Sequence, residues 1–135
     1  MRFFMLDSIQ AFMAALLLPV LAAGALSVDD TPRKPGEWGF RPAPSSVIHV
    51  TPPGFCWRPQ KKAEAYAVEA SRTADFRTVA YSATGIDMSV HCPPETFKAG
   101  TWFWRFRFRK GNEWSDWSQV RSFSIAADAS EMPLP

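Results

Sequence analysis

Three arginines stand at alternate positions in the stretch GTWFWRFRFRKGNEWSDWS, residues 100–118. They are Arg105, Arg107 and Arg109, and two tryptophans, Trp114 and Trp117, follow a short turn at Lys110-Gly111-Asn112-Glu113. Guanidinium groups at that spacing support two kinds of chemistry. They can bind an anionic polymer, or they can stack on indole faces, at roughly 0.5–2 kcal/mol per contact depending on desolvation. The turn brings Trp114 and Trp117 back beside the arginine row. The expected arrangement is therefore a ladder in which arginine and tryptophan interleave and hold the returning chain to the strand. An arginine already stacked has fewer donors free, so the structural role ranks above the anion-binding one.

The elements that must position this row follow from its periodicity. Trp102, Trp104, Phe106 and Phe108 fall on one side from residue 102 to 109, and Phe103 falls with the arginines on the other. A period of two is that of a β-strand. A Trp/Phe face of this size requires a second layer over it, which argues for a β-sandwich. Shorter runs supply the other strands. Val47–Val50 is one. Phe55 to Arg58 places Phe55 and Trp57 on one face, and Trp57 across from Trp104 would centre the core. Ala65–Ser71 places Tyr66, Val68 and Ala70 together; its Ala and Glu content would also suit a helix, but the surrounding pattern favours a strand. Thr78–Ser82, then Ile86, Met88 and Val90 after a turn at Gly85, follow. Val120–Ile125, with Phe123 and Ile125 inward, is the last. About seven short strands separated by turns fit an all-β, immunoglobulin-like or fibronectin type III-like sandwich over residues 45–126.

The flanks read differently. Residues 1–25 combine Arg2, an apolar run from Ala11 to Leu21 and the small-residue pattern Ala23-Gly24-Ala25. This is the pattern of a signal peptide and implies export, to the periplasm or beyond the cell. The run is short for a membrane span, which needs about 20 apolar residues, so no span is expected once it is removed. About 110 residues then remain, enough for an independent core. Residues 26–44 are a Pro-, Gly- and charge-rich leader, with Trp38 and Phe40 expected to pack on the side of the sandwich. Residues 127–135 read as a linker toward a further domain.

Composition narrows the function. The chain has 135 residues, 47% of them hydrophobic, and a net charge of only +2, so charge gives no support to a nucleic-acid or membrane-surface role. The two cysteines, Cys56 and Cys92, permit one disulfide in an exported protein, although sequence does not bring their Cα atoms together; the alternative is two buried thiols. His91 beside Cys92, with His49 elsewhere, matches no zinc spacing. Asp75, Asp87 and Asp116 sit at turns or strand edges, where carboxylates cap or solvate. There is no phosphate loop and no GxSxG. No catalytic residue, metal or cofactor is expected; the residues describe an exported binding or spacer module.

Two resemblances add to this. WSDWS at Trp114–Ser118 is similar to the WSxWS signature of class I cytokine receptors, a match of five residues. A longer one covers nearly all of residues 36–135. GEWGFRPAP (36–44), TPPGFCWRP (51–59), AYAVEASRTADF (65–76) and GTWFWRFRFRKGNEWSDWSQVRSFSI (100–125), with the exit ADASEMPLP, resemble the N-terminal domain of heparinase II-like bacterial polysaccharide lyases. In that family a fibronectin-like domain precedes an α/α-barrel and a further β-sandwich, and those later domains carry out β-elimination on uronic-acid polysaccharides. The resemblance implies core roles for Phe55, Trp57, Tyr66, Trp102, Trp104 and Phe123. It implies ladder roles for Arg105, Trp114, Trp117 and Arg121. It further implies an accessory module that packs on a C-terminal catalytic barrel and meets acidic polysaccharide through it. The alternative is a free-standing carbohydrate-binding or adhesion domain, in which exposed Trp38 and Phe103 stack on sugar rings.

Overall fold

The computed structural model describes residues 25–134, so the signal peptide expected over residues 1–25 lies, but for Ala25, outside the described residues. Among the described residues the chain is all-β and has no helix. Eight strands occur: β1 (Ser46–Thr51), β2 (Phe55–Cys56), β3 (Ala65–Ser71), β4 (Val79–Ile86), β5 (Val90–His91), β6 (Gly100–Lys110), β7 (Glu113–Trp114) and β8 (Arg121–Glu131). The large sheet runs β1-β8-β6-β3-β4, with β7 on β6, and β2 and β5 form a small second sheet. Only β1 and β8 pair in parallel; every other pair is antiparallel.

The core lies where the alternation of β6 places it. Trp102, Trp104, Phe106 and Phe108 are buried, and with them Tyr66, Val68 and Ala70 of β3 and Phe123 and Ile125 of β8. Phe55 and Trp57 close the core from the small-sheet side. Trp57 stacks on Phe106, centroids 5.4 Å apart at 17°, and meets Tyr66 edge-on at 5.4 Å. Phe55 lies 5.3 Å from Trp104. The six residues assigned to the core are all buried. Their large aromatic areas make this contact set the main source of stability.

Several boundaries differ from the periodicity. The strand beginning at Phe55 lasts two residues; Trp57 N–H still donates to the Ser89 carbonyl opposite it, and Pro59, which lacks a donor, stops the pairing soon after. Gly85 does not turn the chain. It has φ +68° inside β4 and sits where the register with β3 shifts between Tyr66 and Val68, as glycine does at a bulge. The strand expected through Ile86, Met88 and Val90 is reduced to Val90–His91, and Met88 is exposed. At the far end, residues 127–131 belong to β8 rather than to a linker. Val50 and Thr51 of β1 register with Ser130 and Glu131, so backbone pairing holds a segment that has no side-chain periodicity.

The leader is part of the packed unit. Arg58 is nearly buried and gathers it in: Nη2 donates to Glu37 at 2.7 Å and to the Pro32 carbonyl at 3.1 Å, and Nη1 reaches Asp29 and Thr31. Gln60 exchanges hydrogen bonds with the backbone of Asp29, at 2.7 and 3.2 Å. Hydrogen bonds from Thr31, with a smaller contribution from Arg58, hold the Asp29 carboxyl below its ordinary range, and the Arg58 hydrogen bond does the same for Glu37.

Candidate functional site

The outer face of β6 carries the ladder. Trp114 pairs with Arg109 in the short β7, and beyond it the WSDWS segment leaves regular strand geometry. Its two serines then do the work of the missing ladder. Ser115 N–H donates to the Phe108 carbonyl at 2.8 Å, and its Oγ accepts from Phe108 N–H at 3.0 Å. Ser118 repeats both bonds with Phe106, at 2.7 and 3.0 Å. Three residues of the segment thus span two of β6. That repeat turns Trp114 and Trp117 to the same side, over the arginines. Both hydroxyls are buried and fully used, which accounts for serine at these positions.

The stacking order is Phe76, Arg105, Trp117, Arg107, Trp114. The Arg105 guanidinium lies 4.2 Å from the Phe76 centroid and 4.5 Å from that of Trp117. The Arg107 guanidinium lies 4.4 Å from Trp117 and 4.7 Å from Trp114. Arg105 also donates twice to Glu69 Oε1 of β3, at 2.8 and 3.1 Å. Glu69 escaped the sequence reading because cross-strand register sets it directly opposite Arg105, and Phe76 reaches the row from the connection between β3 and β4. Arg107 is held by stacking alone: its Nε is buried and has no partner among the described residues.

Two arginines assigned to the ladder lie elsewhere. Arg109 stacks on no ring. Its Nη1 donates to the Gly111 carbonyl at 2.6 Å and approaches Glu64 at 3.4 Å. Arg121 is on the opposite face. It pairs with Trp104 in the β6–β8 register, so alternation points it inward with Phe123 and Ile125. There its guanidinium lies 3.8 Å from the Phe40 centroid and donates to Asp30 at 2.7 Å.

The two cysteines are free thiols. The β2–β5 register sets Cys56 opposite Val90, so Cys92 falls two residues along rather than across, which is outside the usual Cβ reach of a disulfide. Burial raises the Cys56 thiol above its ordinary range. His91 is occupied by a 2.6 Å hydrogen bond between its Nε2 and the Tyr81 hydroxyl, and burial lowers its pKa.

The two aromatics considered for sugar contact separate. Phe103 is half-buried on the outer face of β6, between Ser71 and Ser122 of its neighbours. Trp38 does not pack on the sandwich. It is 78% exposed, the most exposed of the large hydrophobic residues described. It borders an open groove of about 430 Å³ whose walls include Arg33, Phe40, Arg41, Ile48 and Val50. Phe40, its neighbour but one, turns inward and lies 6.2 Å from Phe106. Between the two, Gly39 is buried with φ +79°, and a Cβ there would stand 2.8 Å from the Arg33 side chain. Glycine is required at this point both for the left-handed backbone and for the Arg33 stem to lie across it. No protein-family model matches this chain, and no curated protein matches it.

Proposed function

We propose that this chain is a fibronectin type III-like, non-catalytic accessory module of an exported heparinase II-like polysaccharide lyase. The β-elimination chemistry belongs, on this reading, to a catalytic barrel, and the module packs on that barrel or extends its substrate groove. The observation that carries the reading is the use made of the residues that resemble the family. The GxWxWR strand, the WSDWS segment and the RSFSI strand form one unit, in which the serines replace the backbone ladder and the tryptophans clamp Arg105 and Arg107. The strand order, with β8, β6, β3 and β4 adjacent and β2 and β5 opposite, suits an immunoglobulin or fibronectin type III sandwich. The experiment is an assay for unsaturated uronate on acidic polysaccharides. The reading expects product from the protein purified from its native source and none from residues 26–135 alone. Product from residues 26–135 would overturn it.

A second reading, a free-standing carbohydrate-binding domain, is favoured by one observation: Trp38 presents its ring to solvent beside a groove.

A further inference from the structure

We propose that the groove at Trp38 is a subsite for a hexuronate residue of an acidic polysaccharide, with Trp38 as the stacking platform and Arg33 and Arg41 as the carboxylate partners. The proposal rests on the polysaccharide part of the function given above and is independent of where the lyase chemistry resides.

Every other tryptophan among the described residues is buried or clamped in the ladder; Trp38 alone is left open, at 78% exposure. A single exposed apolar side chain is ordinary on a protein surface; what sets Trp38 apart is the groove and the two arginines beside it. The ring is positioned rather than loose. The turn closed by Glu37 N–H on the Lys34 carbonyl precedes it, and Arg33 Nη1 donates to the Glu37 carbonyl at 3.1 Å. After it, Arg41 exchanges backbone hydrogen bonds with Cys56 at 2.7 and 2.8 Å, which ties this part of the leader to β2.

The charge around the ring is one-sided. The Arg41 guanidinium lies 5.8 Å from the Trp38 centroid, and its side chain has no ion pair or hydrogen bond among the described residues. Arg33 crosses Gly39 on the same groove. No Asp or Glu lines this groove; the nearby Glu37 is engaged by Arg58 at 2.7 Å. The groove therefore presents two cations to any ligand and no compensating anion.

The ligand class follows from shape and charge together. A flat, open indole suits the C–H face of a pyranose ring, and Ile48 and Val50 continue that apolar strip along β1. A volume of about 430 Å³ falls in the range of small-molecule sites. Guanidinium groups match a carboxylate in a planar, two-pronged way. An acidic peptide would satisfy the arginines, but it would leave the ring without a complementary flat partner.

The test titrates the full chain with a galacturonate hexamer, reads the affinity of every variant by isothermal titration calorimetry, and follows the Trp38 indole resonance by NMR in the chains that keep it. The expected result is a saturable shift of that resonance, none with a neutral malto-oligosaccharide, and an affinity lowered at least tenfold in both Trp38→Ala and Arg41→Ala. Arg77→Ala is the charge control, since Arg77 is 81% exposed and outside the groove, and it should bind as the parent does. No saturable shift, an equal loss in Arg77→Ala, or equal binding of polyglutamate would overturn the proposal. Trp38→Phe separates folding from binding, and partial retention is expected there. A lyase reading that failed for want of a catalytic domain would leave this titration unchanged, and a failed titration would leave the lyase assay unchanged.

Discussion

Arg121 and Asp30 form an ion pair at 2.7 Å across 91 positions of sequence, joining the inner face of the last strand to the leader. The Arg121 side chain is 3% exposed and that of Asp30 25%. Asp30 also accepts from Gln119 N–H at 2.8 Å, and the same leader takes Asp116 N–H on the Leu26 carbonyl at 2.9 Å. The leader is thereby a strap over the end of the WSDWS segment. A buried charge stripped of its partner is far worse than a well-packed apolar replacement of the pair. Asp30→Ala should therefore cost about 2–4 kcal/mol in urea unfolding, less than a fully enclosed pair would. The double change Asp30→Ala with Arg121→Met should recover part of that loss, and no recovery would mean that packing alone holds the strap.

Within the ladder the contacts are unequal, and stability should be unequal in the same order. Trp117 lies against two guanidinium groups and Trp114 against one. Trp117→Ala should cost about 1–3 kcal/mol and Trp114→Ala less, from the stacking contacts each loses. Arg109→Ala, outside the ladder, should stay within about 0.5 kcal/mol, as surface substitutions do. Chemical denaturation of the three variants side by side measures this, and equal losses would remove the ladder as the explanation.

Acid should weaken the fold in two windows. Burial lowers the His91 pKa from its ordinary value of 6.5. The unfolded chain then binds the proton first, so stability is full above pH 6.5 and falls as pH drops from there toward the lowered folded value. The carboxyls of Asp29, Glu37 and Asp75 are lowered by hydrogen bonds from Thr31, Arg58 and the Arg77 backbone respectively. Their contribution is present above about pH 4 and lost below it. His91→Gln, followed by thermal unfolding against pH, should flatten the upper window and leave the lower one. A slope near pH 6 unchanged by His91→Gln would contradict the assignment.

What the sequence made legible was whatever repeats along the chain. The alternation at Trp102–Phe108 located the core strand, and the spacing of Trp114 and Trp117 located the ladder. What it hid depends on register and on distant backbone. Arg121 sits one strand from the arginine row and differs from it only in parity, so a ladder role for it ended on the wrong face. Residues 127–131 pair with β1 by hydrogen bonds that leave no pattern in side chains. Trp38 and Phe40 are two apart and part company at Gly39, where a left-handed backbone breaks the alternation. Cys56 is in β2 and Cys92 just past β5, two residues beyond the position that faces Cys56. The polar anchoring of the leader leaves no pattern in the sequence, because its anchors, Arg58, Gln60 and Arg121, are scattered singly through the chain.

The most direct measurement is the intact mass of the protein isolated from its native source, with a peptide map carried past Pro135. The account predicts a polypeptide that continues into a catalytic domain, with the peptides of residues 26–135 at its front. A mature protein whose mass is that of residues 26–135 would contradict the lyase assignment and leave a free-standing binding module.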